Sequence, residues 1–170
     1  MKTPDLSGFF SLAGKHAIVT GGGSGIGLAV AEAYAQYGAA VAVVDVDEAA
    51  AEAVAQGIRD SGRQAIAVRC DVADQAQVET AVAAAVEMFG DIHVLVANAG
   101  IGDRAPAEEM TLAQCQRVLH INLSGAWYFD PAVGRHMIER GLAGGVFNTS
   151  SISRSVGITP GTANFAAARG

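Results

Sequence analysis

The chain has 170 residues, 51% of them hydrophobic, with a formal net charge of −6 and a pI near 5.1. That is enough apolar material for one sizeable core and too much for a disordered chain. The acidic balance repels a phosphate backbone, which argues against nucleic acid as a partner, and no apolar run is long enough to span a bilayer.

The opening stretch MKTPDLSGFFSLAGK carries Asp5 and lacks an apolar h-region, so it does not read as a signal peptide. Residues 15–20, KHAIVT, predict a short buried strand from their β-branched content and length. The strand runs into TGGGSGIG, residues 20–27, and a helical pattern over 26–37 follows at once. Glycines let an anion approach the main chain, and a helix N-terminus offers free N–H groups and a positive dipole end. The strict G-x-G-x-x-G spacing is absent; Gly21, Gly25 and Gly27 fall as G-x-x-x-G-x-G. A flexible turn with no ligand is the alternative. The strand–turn–helix context points instead to a dinucleotide, with Gly21, Gly23, Ser24, Gly25, Ile26 and Gly27 as its contacts.

The second strand, 39–45, ends on Asp45. An acid there can accept two hydrogen bonds from the adenosine ribose diol and repels a 2′-phosphate, which favours NAD over NADP. Asp45 could also be an ordinary helix cap or loop acid, although Asp47 stands close by for the cap. A helix over 48–60, a strand over 64–70, a helix over 75–89 and a strand over 92–98 follow. A long helix over 111–140 opens on Thr111, a plausible N-cap, and a fifth strand covers 144–150. Gly38, Gly62, Gly90 and Gly141 each follow a helix, where a left-handed cap favours glycine. A further helix begins near Thr162, and the sequence ends at Gly170.

Alternating strands and helices with continuous apolar strands predict a parallel sheet covered on both faces. The expected fold is therefore a Rossmann-like, doubly wound, three-layer α/β sheet with strand order 3-2-1-4-5. Residues 1–170 read as one domain. The expected core includes Ile18, Val19, Val41, Val43, Ile66, Val68, Val94, Leu95, Val96, Val146 and Phe147. Cys70 and Cys115 fit no metal-ligand spacing and read as reduced thiols of a cytoplasmic protein, so no metal is expected. Trp127, Tyr128 and Phe129 read as core or subunit-interface aromatics, and His93 and His120 as structural.

TGGGSGIG, then CDV (Cys70 to Val72), ANAG (Ala97 to Gly100), INL (Ile121 to Leu123) and NTSS (Asn148 to Ser151) occur in that order. With these motifs the chain resembles the short-chain dehydrogenase/reductase family from about Leu12 to Gly170. The resemblance implies NAD-linked interconversion of an alcohol and a carbonyl, a small-molecule substrate and a homo-oligomer. It places Asp71 and Val72 against the adenine, and Asn98, Ala99 and Gly100 beside the cofactor. Asn122 resembles the asparagine that holds a water in the proton relay, and Ser151 the serine that meets the substrate carbonyl. Ser150 and Ser153 are rivals for that serine. Asp71 could instead cap a helix, Asn122 could satisfy backbone at a helix kink, and Ser150 and Ser151 could be turn residues.

The resemblance also exposes a departure. In the family, Tyr-x-x-x-Lys carries the proton chemistry, with both side chains on one helical face. Here NFAAARG puts Phe165 at the tyrosine position and Arg169 at the lysine position. Phenylalanine has no proton to give, and arginine is a poor proton shuttle that still offers charge and donors for the ribose. Family members continue with two more strands and a substrate-covering segment, which are not found before Gly170. The other reading is a catalytically silent dinucleotide-binding or interaction module.

Overall fold

The computed structural model describes residues 10–154 and 160–170. The start of the chain that was read for a leader thus lies largely outside the described residues. Five strands form one parallel sheet in the order β3-β2-β1-β4-β5. In chain order the elements are β1 (His16–Thr20), α1 (Gly25–Gln36), β2 (Ala40–Asp45), α2 (Glu48–Asp60), β3 (Ala65–Arg69), α3 (Gln75–Phe89) and β4 (Val94–Ala97). Then come α4 (Leu112–Leu119), a π-helical turn (His120–Ser124), α5 (Gly125–Glu139), β5 (Gly145–Asn148), a 3-10 turn (Ile152–Arg154) and α6 (Ala163–Arg169). The expected architecture and strand order are those observed.

The strands are apolar throughout because each face of the sheet has its own core. Ile18, Val44 and Leu95 point to one side and pack with Val78, Ile92, Phe129 and Val133 beneath α3 and α5. Val19, Val41, Val43 and Val96 point to the other and pack with Ala31, Ala51, Val54 and Ile58 beneath α1 and α2. Burying one such branched side chain contributes about 1.5–3 kcal/mol. The small residues on α1 and α2, Ala31, Ala35, Ala51 and Ala55, bring these helices close to the sheet. Caps set the helix starts: Asp47 accepts from Ala50 N before α2, Asp74 accepts from Ala76 N and Gln77 N before α3, and Thr111 and Gln114 form a reciprocal capping box before α4. The four expected glycine caps, Gly38, Gly62, Gly90 and Gly141, all lie at positive φ.

Three expectations need correction. Val146 and Phe147 are exposed, not buried, because β5 is the sheet edge and Phe147 lies on the face that α1 and α2 cover only further in. Ile66 and Val68 are only half-buried because β3 is the opposite edge, and Val94 is half-buried at the start of its strand. The single helix expected over 111–140 is divided by the π turn, which inserts an extra residue where Asn122 is turned inward. Of the three adjacent aromatics, Phe129 is in the core, Tyr128 is half-buried and Trp127 is 70% exposed.

Candidate functional site

In an open parallel sheet the ligand crevice forms where the strand order reverses, outside the carboxyl ends of the strands. Here that point lies between β1 and β4. A cleft of about 740 Å³ opens there. Its walls come from the ends of all five strands and from α4, the π turn and α6: Gly21, Ser24, Gly25, Ile26, Asp45, Val46, Cys70, Asp71, Val72, Asn98, Ala99, Gly100, Ile101, Arg117, Ile121, Thr149, Ser150, Ser151, Phe165 and Arg169. Such a volume suits a small organic ligand.

The glycine turn forms one wall. Gly21 and Gly25 adopt φ of 64° and 54°, which L side chains rarely adopt. Ser24 is the N-cap of α1, yet its side chain makes no capping bond and no acidic residue stands in the first turn. The positive end of α1 is thus left for an anion. Asp45 closes the turn from the side. Its Oδ2 accepts from Gly23 N at 2.9 Å and its Oδ1 from Asp47 N at 3.1 Å. A Cβ on Gly23 would stand 2.9 Å from Asp45 Oδ2, so only glycine lets the carboxylate seat there. A carboxylate has roughly four lone-pair sites, so Asp45 retains acceptor capacity toward the cleft. Asp45 is not the cap of α2, since Asp47 serves that end; likewise Asp74, not Asp71, caps α3. Asp71 Oδ1 instead accepts from Ala73 N at 3.0 Å.

Thr20 ties this wall to the next. Its hydroxyl accepts from Asn98 N and Ala99 N, both at 3.0 Å, while Asn98 Nδ2 donates to Thr20 O at 3.2 Å. Asn122 is 2% exposed, and both ends of its side-chain amide are engaged by Ile101: Oδ1 accepts from Ile101 N at 2.8 Å and Nδ2 donates to Ile101 O at 2.9 Å. It therefore fixes the loop after β4, the backbone role open to it at a helix kink, and it does not itself line the cleft.

The third wall is α6 and the loop after β5. Phe165 and Arg169 both face the cleft from one side of α6. Asn164, 2% exposed, fixes the start of that helix: its Nδ2 donates to Asp103 O at 3.1 Å and its Oδ1 accepts from Phe165 N at 2.7 Å. The Arg169 guanidinium is buried against main-chain carbonyls, and burial lowers its pKa. Of the three serines, Ser150 and Ser151 line the cleft; Ser151 Oγ accepts from Ser153 N and donates to Ser153 Oγ, both at 3.2 Å. The Ser150 hydroxyl donates to Arg169 O at 2.9 Å, and Ser153 does not line the cleft.

Sequence reasoning missed Val46, Cys70, Ile101, Arg117, Ile121 and Thr149. Arg117 and Ile121 carried a signal, being four apart on one helical face next to Asn122. The Cys70 thiol is pushed up to about 12, first by burial and then by the charges of Asp71 and Asp74. It is thus a wall, not a nucleophile, at neutral pH. His93 lies at the opposite, N-terminal end of the strands, where its Nδ1 accepts from His16 N at 3.2 Å. His120 is exposed and outside the cleft. Among the described residues no group of three or more His, Cys, Asp or Glu could hold a metal, and no helix is long and apolar enough to cross a membrane.

The family model described as short chain dehydrogenase matches residues 15–170. The chain belongs to that family. Among its relatives, D-threitol dehydrogenase of Mycolicibacterium smegmatis is 42% identical over 149 residues, covering 88% of this chain and 57% of that protein. Cis-4-hydroxycyclohexanecarboxylate dehydrogenase of Sinomonas cyclohexanicum is 41% identical, over 86% of this chain and 59% of its own length. A crystal structure of a short-chain type dehydrogenase/reductase from Mycobacterium marinum superposes with a TM-score of 0.93 at 33% identity, over 98% of this chain and 68% of that one. The chain thus spans under two thirds of the length of these two curated relatives. The short-chain dehydrogenases are oxidoreductases, and membership implies a nicotinamide dinucleotide as cofactor.

Proposed function

We propose that this chain is the dinucleotide-binding part of an NAD-linked short-chain dehydrogenase acting on a small alcohol or carbonyl, with proton transfer impaired as the sequence stands. The observation that carries this reading is the single cleft that joins the open N-terminus of α1, the Asp45 carboxylate and the Phe165/Arg169 face of α6. The bound dinucleotide would supply or accept a hydride. The chain's own residues would do the rest. Gly21, Gly23, Ser24, Gly25, Ile26 and Gly27 would hold the pyrophosphate at the helix end, where N–H groups and the dipole favour an anion. Asp45 would accept from the ribose diol and disfavour a 2′-phosphate. Asp71 and Val72 would flank the adenine, and Asn98, Ala99 and Gly100 would form the floor.

Ser151 would hydrogen-bond a substrate carbonyl: it lines the cleft, and among the described residues its hydroxyl bonds only the neighbouring Ser153, at 3.2 Å, whereas the Ser150 hydroxyl is tied at 2.9 Å to the main chain of Arg169. Phe165 lines the cleft and would leave the acid's position without a proton donor. Losing a positioned acid costs about 10²–10⁴-fold in rate. The names of the relatives, D-threitol dehydrogenase among them, agree with an alcohol as substrate. We take the protein to be cytoplasmic and homo-oligomeric, its subunits meeting through the α4–α5 region. The second reading, a silent binding or interaction module, is favoured by Phe165 together with a guanidinium already engaged by the main chain.

Ile26 is 68% exposed and lines the cleft in the first turn of α1, so it can be changed without touching the core. Calorimetric titration of NADH into the unmodified and Ile26→Glu chains tests the placement. A carboxylate beside the anion site should weaken binding by about tenfold or more. Equal affinity in the two chains would remove the pyrophosphate from the N-terminus of α1.

A further inference from the structure

Arg169, the last residue of α6, is held at both ends. Its carbonyl accepts from Ser150 Oγ at 2.9 Å and from Ser151 N at 3.2 Å. Its guanidinium donates from Nη1 to Thr149 O at 2.7 Å, and from Nη2 to Asn98 O at 2.9 Å and Ala99 O at 2.6 Å. Thr149 follows β5, and Asn98 and Ala99 follow β4, so the two nitrogens reach the ends of two neighbouring strands. No carboxylate pairs with Arg169 among the described residues. Gly100 makes room for it: a Cβ there would collide with Nη2.

A cation that served a ligand would keep its donors turned to the open cleft. Arg169 is 8% exposed and commits both terminal nitrogens to main-chain carbonyls. The planar fork of arginine suits such a task, since it offers donors from two separate nitrogens in fixed geometry. Lysine offers donors from one atom only. We propose that Arg169 is a staple: it locks the carboxyl ends of β4 and β5 to each other and to α6, and so shapes the wall of the cleft beyond the glycine turn. It is a positioning residue that acts through Asn98, Ala99 and Thr149, not a hand for the cofactor ribose. The ligand part of this statement rests on the dinucleotide reading above; the structural part does not.

Hydrogen exchange on the full chain separates the two. In Arg169→Met and in Arg169→Lys, the amides of Asn98, Ala99, Thr149 and Ser151 should exchange about tenfold or more faster, as expected for losing charge-assisted hydrogen bonds, while β2 and β3 keep their protection. Titrations should show NADH weakened more than ADP-ribose, which lacks the nicotinamide, and lysine should not restore the difference. Unchanged exchange at those four amides in a folded variant would overturn the staple, as would full recovery of NADH binding in Arg169→Lys. Should Arg169→Met not fold, the Arg169→Lys chain gives the same readout. If no form of the chain binds NADH, the dinucleotide reading fails, and exchange still decides the staple.

Discussion

The carboxylate of Asp45 accepts the main-chain N–H of Gly23 at 2.9 Å, which makes the acid at the end of β2 and the turn after β1 one structural unit. Asparagine at 45 would keep an acceptor for that N–H and drop the charge. The preference for NADH over NADPH should then shrink by about tenfold, since the repulsion of a 2′-phosphate goes with the charge. Melting temperature should drop slightly, because the amide nitrogen cannot accept from Asp47 N as the second carboxylate oxygen does. Calorimetry with both nucleotides checks this; an unaltered preference in Asp45→Asn would take Asp45 out of the role.

Phe165 lines the cleft with a side chain that has no hydroxyl. The unmodified chain should not measurably oxidise NADH with simple ketones. Phe165→Tyr restores a hydroxyl, and Arg169→Lys restores the group that tunes it while giving up the bonds to three carbonyls. Each change alone should do little, because residues that act as a unit are non-additive. The double change in a chain extended with a substrate-covering segment from the family should raise the rate by about 10²–10⁴-fold over the same extended chain with Phe165 and Arg169. Normal turnover by the unmodified chain would mean that the proton comes from elsewhere.

The fold was largely legible because a strand buried on both faces leaves a continuous apolar run, as in Val41 to Val44, and turn glycines and caps mark the boundaries. The same pattern misled at Val146 and Phe147. It reports what a strand is made of, not what covers it, and β5 is an edge here. The π turn was not legible, since one inserted residue barely disturbs helical periodicity. The position of Asp45 beside the glycine turn was legible because it ends a strand next to that turn. The partners of Arg169 and Asn122 were not, because they are main-chain groups, and a backbone carbonyl has no letter in the sequence.

Assembly has a built-in probe. Leu123, Trp127 and Ile138 are exposed along one face of the π turn and α5, and Trp127 is the only tryptophan of the chain. Subunit pairing through this face should shift tryptophan emission to the blue as protein concentration rises, in step with the mass from light scattering. Trp127→Tyr removes the tryptophan emission, so Leu123→Glu is the disrupting variant: it should leave a smaller species with red-shifted tryptophan emission. A clean monomer at high concentration would contradict the pairing.

Stability should respond to pH through His93. Burial, followed by the charges of Lys15 and His16, lowers its pKa below the ordinary histidine value. Its Nδ1 accepts from His16 N, which needs a neutral ring. Below the unfolded pKa the unfolded chain binds more protons, so stability should fall as pH drops through about 6.5 toward the lower folded value. His93→Gln should flatten melting temperature against pH over that window. An identical pH profile in both chains would exclude His93 as the source.

A cleft that takes a nicotinamide dinucleotide against the turn before α1 and Asp45 should reveal this binding in solution. Calorimetric titration of the unmodified chain with NADH and then with NADPH tests it most directly. Saturable binding of NADH at one site per chain is expected, with NADPH about tenfold weaker or more, reflecting the like charge at Asp45. Absence of saturable binding for both nucleotides, or tighter binding of NADPH, would contradict it.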